Sequence, residues 1–343
     1  MTSFARRVVA RVVGTREGIQ RLLLDDGSSA YALTQVVGEA EPGDEVVVNT
    51  TAVERNLGTG GQHIVHCNLA NLERSVPGPG HIMAVRYMSE QLDVGSWEES
   101  AEADLELPDL SGVRVALCVL HSHVTALIVG AADVLGGPSH GGLAYVMSDQ
   151  AALPHALSDN IAELRSRSLL DLSISAGQSF GGDLEAVNVA SGVHAALVEG
   201  RRRVVVGGGP GHVGTSTALG FSALELAGHG HVLTRLGAEV GLVVRASAED
   251  PRHRHRGVSH HTRTLARLLP DEVVVPVPPG DEWCGPWLTA AGLEAVAVEP
   301  VDIVGALARQ GLGVDTMGRR LVDDDVALAY LGASVAWLVG RDR

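Results

Sequence analysis

The chain has 343 residues and a formal net charge of −15, and all 26 of its basic side chains are arginine. Without lysine, Schiff-base catalysis, pyridoxal phosphate attachment and a P-loop lysine are excluded, and the acidic balance speaks against neutralising nucleic-acid phosphates. Three scattered cysteines (Cys67, Cys118, Cys284) with no CxxC fit a reducing, cytoplasmic setting without disulfides or structural zinc, and no apolar leader precedes Arg6 and Arg7.

Up to residue 76, short β-rich runs at 7–13, 20–24, 45–49 and 63–67 alternate with turn residues, among them Asp26-Gly27, Pro42-Gly43-Asp44 and the glycine-rich 58–61. This predicts a small N-terminal β-barrel or sandwich. Pro77-Gly78-Pro79-Gly80 marks a boundary, and residues 77–112, acidic from Glu98 to Asp109, read as a solvated connector. Over 113–343, β-branched runs alternate with alanine- and leucine-rich helical segments. That pattern predicts an α/β domain with a mostly parallel sheet flanked by helices, Rossmann-like and three-layered. Strands are expected at 113–120, 143–147, 170–175, 203–206, 240–245, 273–277 and 295–298.

The apolar stretch 115–135 is interrupted by His121, Ser122, His123 and Asp133, so it reads as buried strand, polar turn and helix rather than a membrane span. A second apolar run, 326–339, is too short to span and reads as a buried terminal helix or a contact between copies of the chain.

In open parallel sheets ligands bind beyond the carboxyl ends of strands, and five polar or glycine-rich segments each follow a predicted strand. In the first, His121 and His123 stand at i, i+2, a spacing that places both on one side of an extended chain. With Asp149 from the second segment they are candidate divalent-metal ligands. The third, GQSFGGDLE (177–185), offers Gln178 as a substrate contact and Asp183 either as a helix N-cap or as a catalytic partner. The fourth contains Gly209, Gly211 and Gly214 in a GxGxxG pattern between a strand and a helical pattern that runs to about Leu236. There Gly209, Gly211, His212, Gly214 and Thr215 would receive a phosphate or other anion, the alternative being a plain tight turn. The next strand ends in Arg245 where NAD enzymes carry an acidic residue, a substitution that suits NADP.

The fifth segment holds RHRHRGVSHH (252–261), three arginines and four histidines against an acidic background. Such a concentration of cations points to a small anionic partner. Ser259 is placed to cap a helix, with His260 and His261 in its first turn as neutral acid/base candidates and Arg256 as an anion contact; His253 and His255 read as surface residues. WCGPW (283–287) lacks the second cysteine of a dithiol motif and reads as a packed turn.

Taken together, GTGGQH (58–63), PGHIM (79–83), SFGGDLEAVN (179–188), GGPGHVGTST (208–217), RHRGVSHHT (254–262) and TMGR (316–319) resemble a bacterial family catalogued as domain of unknown function 3866. The resemblance spans nearly the whole chain and implies a cytoplasmic, full-length member, but it brings no activity, cofactor or catalytic residue. Function is therefore expected from the residues alone. They point to a hydrolase or transferase of a small phosphorylated or nucleotide-like molecule, with the glycine loop and Arg256 holding the anion. His260 or His261 would act as acid/base, assisted by His121, His123 or Asp183. A non-catalytic small-molecule sensor and an NADP-dependent oxidoreductase are the alternatives. The cofactor is open between a divalent metal and a nucleotide; no nucleic acid or membrane is expected as partner, and the C-terminal apolar helix is the candidate contact for a homo-oligomer.

Overall fold

The computed structural model describes residues 2–57, 60–75, 78–101, 105–137, 142–150 and 154–340. Gly58 and Thr59 of the expected turn and Pro77 of the boundary motif lie outside them. The fold divides into two units, one of Met1–Gly95 with Pro154–Leu157, the other of Ser96–Leu153 with Ser158–Arg343. The division falls after Gly95 rather than at Pro77–Gly80. Beyond it, much of the expected connector belongs to the second unit: Ser96 opens a helical turn with a capping box, Glu98 accepts from Val187 N at 2.9 Å, and Leu110 is fully buried.

The first unit is a closed barrel of five strands, β1 (Phe4–Arg16), β2 (Ile19–Leu24), β3 (Ser29–Leu33), β4 (Glu45–Asn49) and β5 (His63–Asn68), in the order β1-β2-β3-β5-β4. β1 closes antiparallel onto β4, and β3 runs parallel to β5. The period of two is plain in Leu22 and Leu24, Ala30 and Ala32, and Val46 and Val48, all turned into one small core. β3 was not expected, because SAYAL carries two alanines and no β-branched residue.

The second unit is built on eight parallel strands: β6 (Arg114–Cys118), β7 (Leu143–Ser148), β8 (Leu172–Ala176), β9 (Leu184–Ala186), β10 (Arg203–Gly208), β11 (Glu239–Leu242), β12 (Val274–Val277) and β13 (Glu294–Ala297). Their order is β9-β8-β7-β10-β6-β11-β12-β13. On one face Val115, Leu117, Val204 and Val206 pack against α3 (Val189–Val198), α4 (Leu226–Arg235) and α5 (His260–Ala266). On the other, Ala116, Tyr145, Met147 and Val205 pack against α1 (His121–Leu135), α2 (Asp159–Ser166), α7 (Ile303–Gln310) and α8 (Asp325–Leu338). α6 (Gly285–Ala291) joins the first face through Leu288. Burial on both sides is why the inner strands read as nearly unbroken apolar runs, whereas the edge strands β9 and β13 are partly exposed.

From β6 the chain steps outward through β7, β8 and β9, returns to insert β10 between β6 and β7, and then proceeds the other way. In dinucleotide-binding folds the first strand lies beside the second, whereas here β10 separates them.

One expectation is corrected by this architecture. The segment after Asp183 forms edge strand β9 rather than a helix; α3 begins only at Val189, capped by Asn188, whose side chain accepts from Ser191 N at 3.0 Å. The apolar C-terminal helix α8 is buried over most of its length, as expected of a terminal helix. Ala333, Val335, Ala336 and Leu338 are fully buried and Trp337 nearly so, while Asp325 is exposed and Val326, Leu328 and Ala329 are part-buried. Among the described residues, no helix is long and apolar enough to cross a membrane.

Candidate functional site

The five segments singled out in the sequence follow β6, β7, β8, β10 and β11, five adjacent strands of one parallel sheet, so they share its carboxyl edge. Contacts join them in series. Gln178 N donates to Asp149 Oδ2 at 3.2 Å, Ser222 Oγ donates to Gln150 Oε1 at 2.9 Å, and His121 Nδ1 donates to Gly208 O at 3.2 Å. Further along, the rings of His212 and His261 lie 5.1 Å apart.

The metal ligands expected from this edge do not converge. His121 and His123 both lie in α1, where an i, i+2 pair points to different sides of the helix instead of one. His121 is held at both nitrogens, by Gly208 O and, at 2.7 Å, by Ser158 Oγ. His123 is buried beside Arg245, Asp250, Arg319 and Asp324, and Asp149 is exposed and accepts from Gln178 N. Asp183 is also occupied: Oδ2 accepts from Ser173 N and Oγ at 2.8 and 2.7 Å, and Oδ1 pairs with Arg165. It ties β9 to β8.

The glycine turn likewise departs from a phosphate cradle. No helix follows it directly: Thr215 N donates to Gly220 O at 2.7 Å, Gly220 N donates to Thr217 Oγ1 at 3.1 Å, and Gly214 bridges to Phe221. α4 starts only at Leu226, so its amino end is not at Gly209–Gly214. Threonine hydroxyls here offer the backbone local bonds that compete with helix. Gly214 has a different reason to be glycine. A Cβ there would stand 3.1 Å from His261 Cε1 and 3.6 Å from His212 Nε2, because the two rings pack over it.

These rings belong to a cluster of four histidines. After β11 the chain enters a two-strand ribbon, Ala246–Ser247 against Gly257–Val258, which doubles the basic segment back on itself. His255 is thereby buried rather than on the surface, with its Nδ1 2.7 Å from Ser259 Oγ. As expected, Ser259 caps α5, its Oγ accepting from His261 N. Ring centroids are 4.3 Å apart for His260 and His261, 4.9 Å for His255 and His260, and 5.0 Å for His255 and His261. Phe221 stacks on His261 at 4.1 Å with an 8° interplanar angle.

Tautomers follow from the partners. The buried Arg245 donates from Nη1 to His261 Nδ1 at 3.0 Å; a guanidinium can only donate, so His261 carries its proton on Nε2. His260 Nδ1 faces the carbonyl of Arg254 at 3.4 Å and must donate, which leaves a lone pair on Nε2. Ser222 spends its hydroxyl proton on Gln150, so His212 Nδ1 donates to Ser222 Oγ at 3.3 Å and its Nε2 is likewise a lone pair. The Nε2 atoms of His212, His260 and His261 are all buried without a partner.

All four rings are held neutral. Burial and the Arg245 charge push His261 down to about 2 and His255 to about 3, the same pair of causes brings His212 to about 4, and burial lowers His260. Arg245, lowered to about 10 by burial and by Arg252, stays charged at neutral pH. For Asp250, burial raises the pKa, but hydrogen bonds from Arg252 at 2.9 and 2.7 Å outweigh it and hold the carboxylate well below its usual range.

Beside the cluster lies a cleft of about 280 Å³ lined by His253, Arg254, Arg256, Val258, His260 and Arg263. His260 thus belongs to both cleft and cluster. Sequence reasoning found His212, His260, His261 and Arg256, read Arg245 only as a residue suiting NADP and His255 as a surface residue, and missed Asp250 and Phe221. The available signal was Arg245 itself, a charge directly ending the apolar run VGLVV.

WCGPW is not a packed turn but the start of α6, with Cys284 at the N-cap and Gly285, Pro286 and Trp287 in the first turn; Cys284 is fully buried, its Sγ donates to Tyr330 Oη at 3.3 Å, and burial pushes the thiol up to about 12.

The fold and this edge define an α/β protein with a buried histidine–arginine cluster. The model of the family described as protein of unknown function (DUF3866) matches residues 29–335, and the chain belongs to that family. No curated protein matches it.

Proposed function

We propose that this protein is an enzyme acting on a small anionic substrate, phosphorylated or nucleotide-like, at the cleft beside the histidine cluster. The observation that carries this reading is the cleft lining, in which Arg254, Arg256 and Arg263 surround His260 with no carboxylate among them. Arginine forks suit phosphate oxygens, and several cations gathered at one cleft offset the cost of stripping water from an anion. The cluster behind supplies both proton functions at neutral pH: lone pairs on His212 and His260 Nε2 to accept, and the His261 Nε2–H to donate toward developing negative charge. Hydrolysis or group transfer at phosphorus fits these parts better than hydride transfer, because the glycine turn follows β10 rather than the first strand and leads into a threonine-stabilised loop.

A thermal-shift panel of inorganic phosphate, sugar phosphates and nucleotides on chelator-treated protein tests the reading. A true ligand at about 100-fold its Kd stabilises by about 2.7 kcal/mol. Silence across every phosphate compound contradicts the proposal, and a ligand that binds yet is never chemically changed favours a sensor.

A further inference from the structure

We infer that His255, His260 and His261 form a binding site for a late first-row divalent cation of the zinc class, set beside the anion cleft. Each residue offers one ring nitrogen, and these atoms all lie within 4.8 Å of one another; it is the one such group among the described residues. The inference does not depend on the anion reading. An all-imidazole set suits zinc, copper or nickel and does not suit magnesium or calcium, which take oxygen ligands.

The surroundings supply a second, independent pointer. His261 is 1% exposed, and its Nε2, like that of His260, is buried with no hydrogen-bond partner. A buried polar nitrogen without a partner is costly, and a cation shared by the rings would supply that partner. The outer partners are those that orient metal-binding histidines: His260 Nδ1 on the Arg254 carbonyl and His255 Nδ1 on Ser259 Oγ, each leaving Nε2 free when the ring donates. Three protein ligands leave at least one position open for water or an anion. The neighbouring arginines would meet the charge of that anion.

Arg245 opposes loading. It places a buried cation 3.0 Å from His261 Nδ1 and, in the metal-free protein, keeps the His261 proton on Nε2. Metal must therefore displace either that proton or the guanidinium. With the cation bound, His260 serves as a ligand and the proton acceptor left in the cluster is His212.

The test is zinc titration of tag-free, chelator-stripped protein in competition with a chromophoric chelator, with cobalt absorption reporting the ligand field. We expect one equivalent per chain. His260→Ala should weaken binding by more than the roughly 10–100-fold lost with an outer-shell partner, and His255→Ala likewise, while His66→Ala, at an exposed position of β5, changes nothing. Arg245→Met should tighten binding by about 10-fold or more through loss of a neighbouring charge. Folding of each variant is checked by circular dichroism; if buried His255→Ala does not fold, the half-buried His260→Gln and His260→Ala decide the question. Absence of stoichiometric binding, or binding indifferent to His260, overturns the site, and unchanged affinity in folded Arg245→Met removes His261 from it. Phosphate binding in chelator is read separately, so either idea can fail alone.

Discussion

Arg245 and His123 show how single buried groups set the acid sensitivity of the second unit. His123 has an Nδ1 without a partner, and burial together with the Arg245 charge lowers its pKa from 6.5 to about 3. The unfolded chain takes up this proton near pH 6.5 and the folded chain only near 3. Stability from this ring is thus full above 6.5 and is lost as the pH falls, at about 1.4 kcal/mol per unit. Replacing it with a similarly sized apolar group, His123→Leu, should narrow the difference in unfolding free energy between pH 7 and pH 5 by roughly 2 kcal/mol. Denaturant melts at the two pH values check this; an unchanged difference would show that His123 is not held neutral. Glu185 has the opposite sign. Burial raises its pKa to about 8 despite the Gly181 N–H it accepts, so it costs stability as the pH rises from about 4.5 to about 8. Glu185→Gln keeps an acceptor for Gly181 and should flatten that decline, with the largest gain in Tm near pH 8. Phe221→Ala removes the face on which His261 rests and should cost about 3–5 kcal/mol, as large aromatic truncations in cores do.

At the scale of elements, strands buried on both faces were legible because apolar runs such as RVALC and LAYVMS have few other uses. β3 and β9 were not legible. One is alanine-rich, and the other is a three-residue edge strand whose preceding Asp183 looks like a helix cap. The histidine pair of α1 failed for a related reason: spacing is informative only once the periodicity is known, and 121–135 is helix from its first residue. The cluster was half legible, since Ser259 could be recognised as a cap while the ribbon that returns His255 to the interior depends on two residues pairing with two others. Close packing makes a further prediction here. Gly241 in β11 lies under Trp337 of α8, where a Cβ would approach Cζ3 to 2.6 Å. Gly241→Ala should therefore cost about 1–3 kcal/mol by overpacking, visible as a lower Tm. A neutral result would mean that α8 can shift away from the sheet.

Across the whole molecule, a chain of net charge −15 concentrates arginines and neutral histidines at one edge of a parallel sheet. Long-range repulsion from the acidic surface disfavours large polyanions, whereas a small anion reaching the cleft is governed by the cations within a Debye length of about 8–10 Å. The central claim is that this cleft binds such an anion through its arginines. Calorimetric titration of chelator-treated protein with inorganic phosphate, on wild type and on Arg254→Ala/Arg256→Ala, tests it most directly. Saturable binding by wild type that is abolished in the folded double variant is the predicted result; no binding by wild type, or equal binding by the variant, would contradict it.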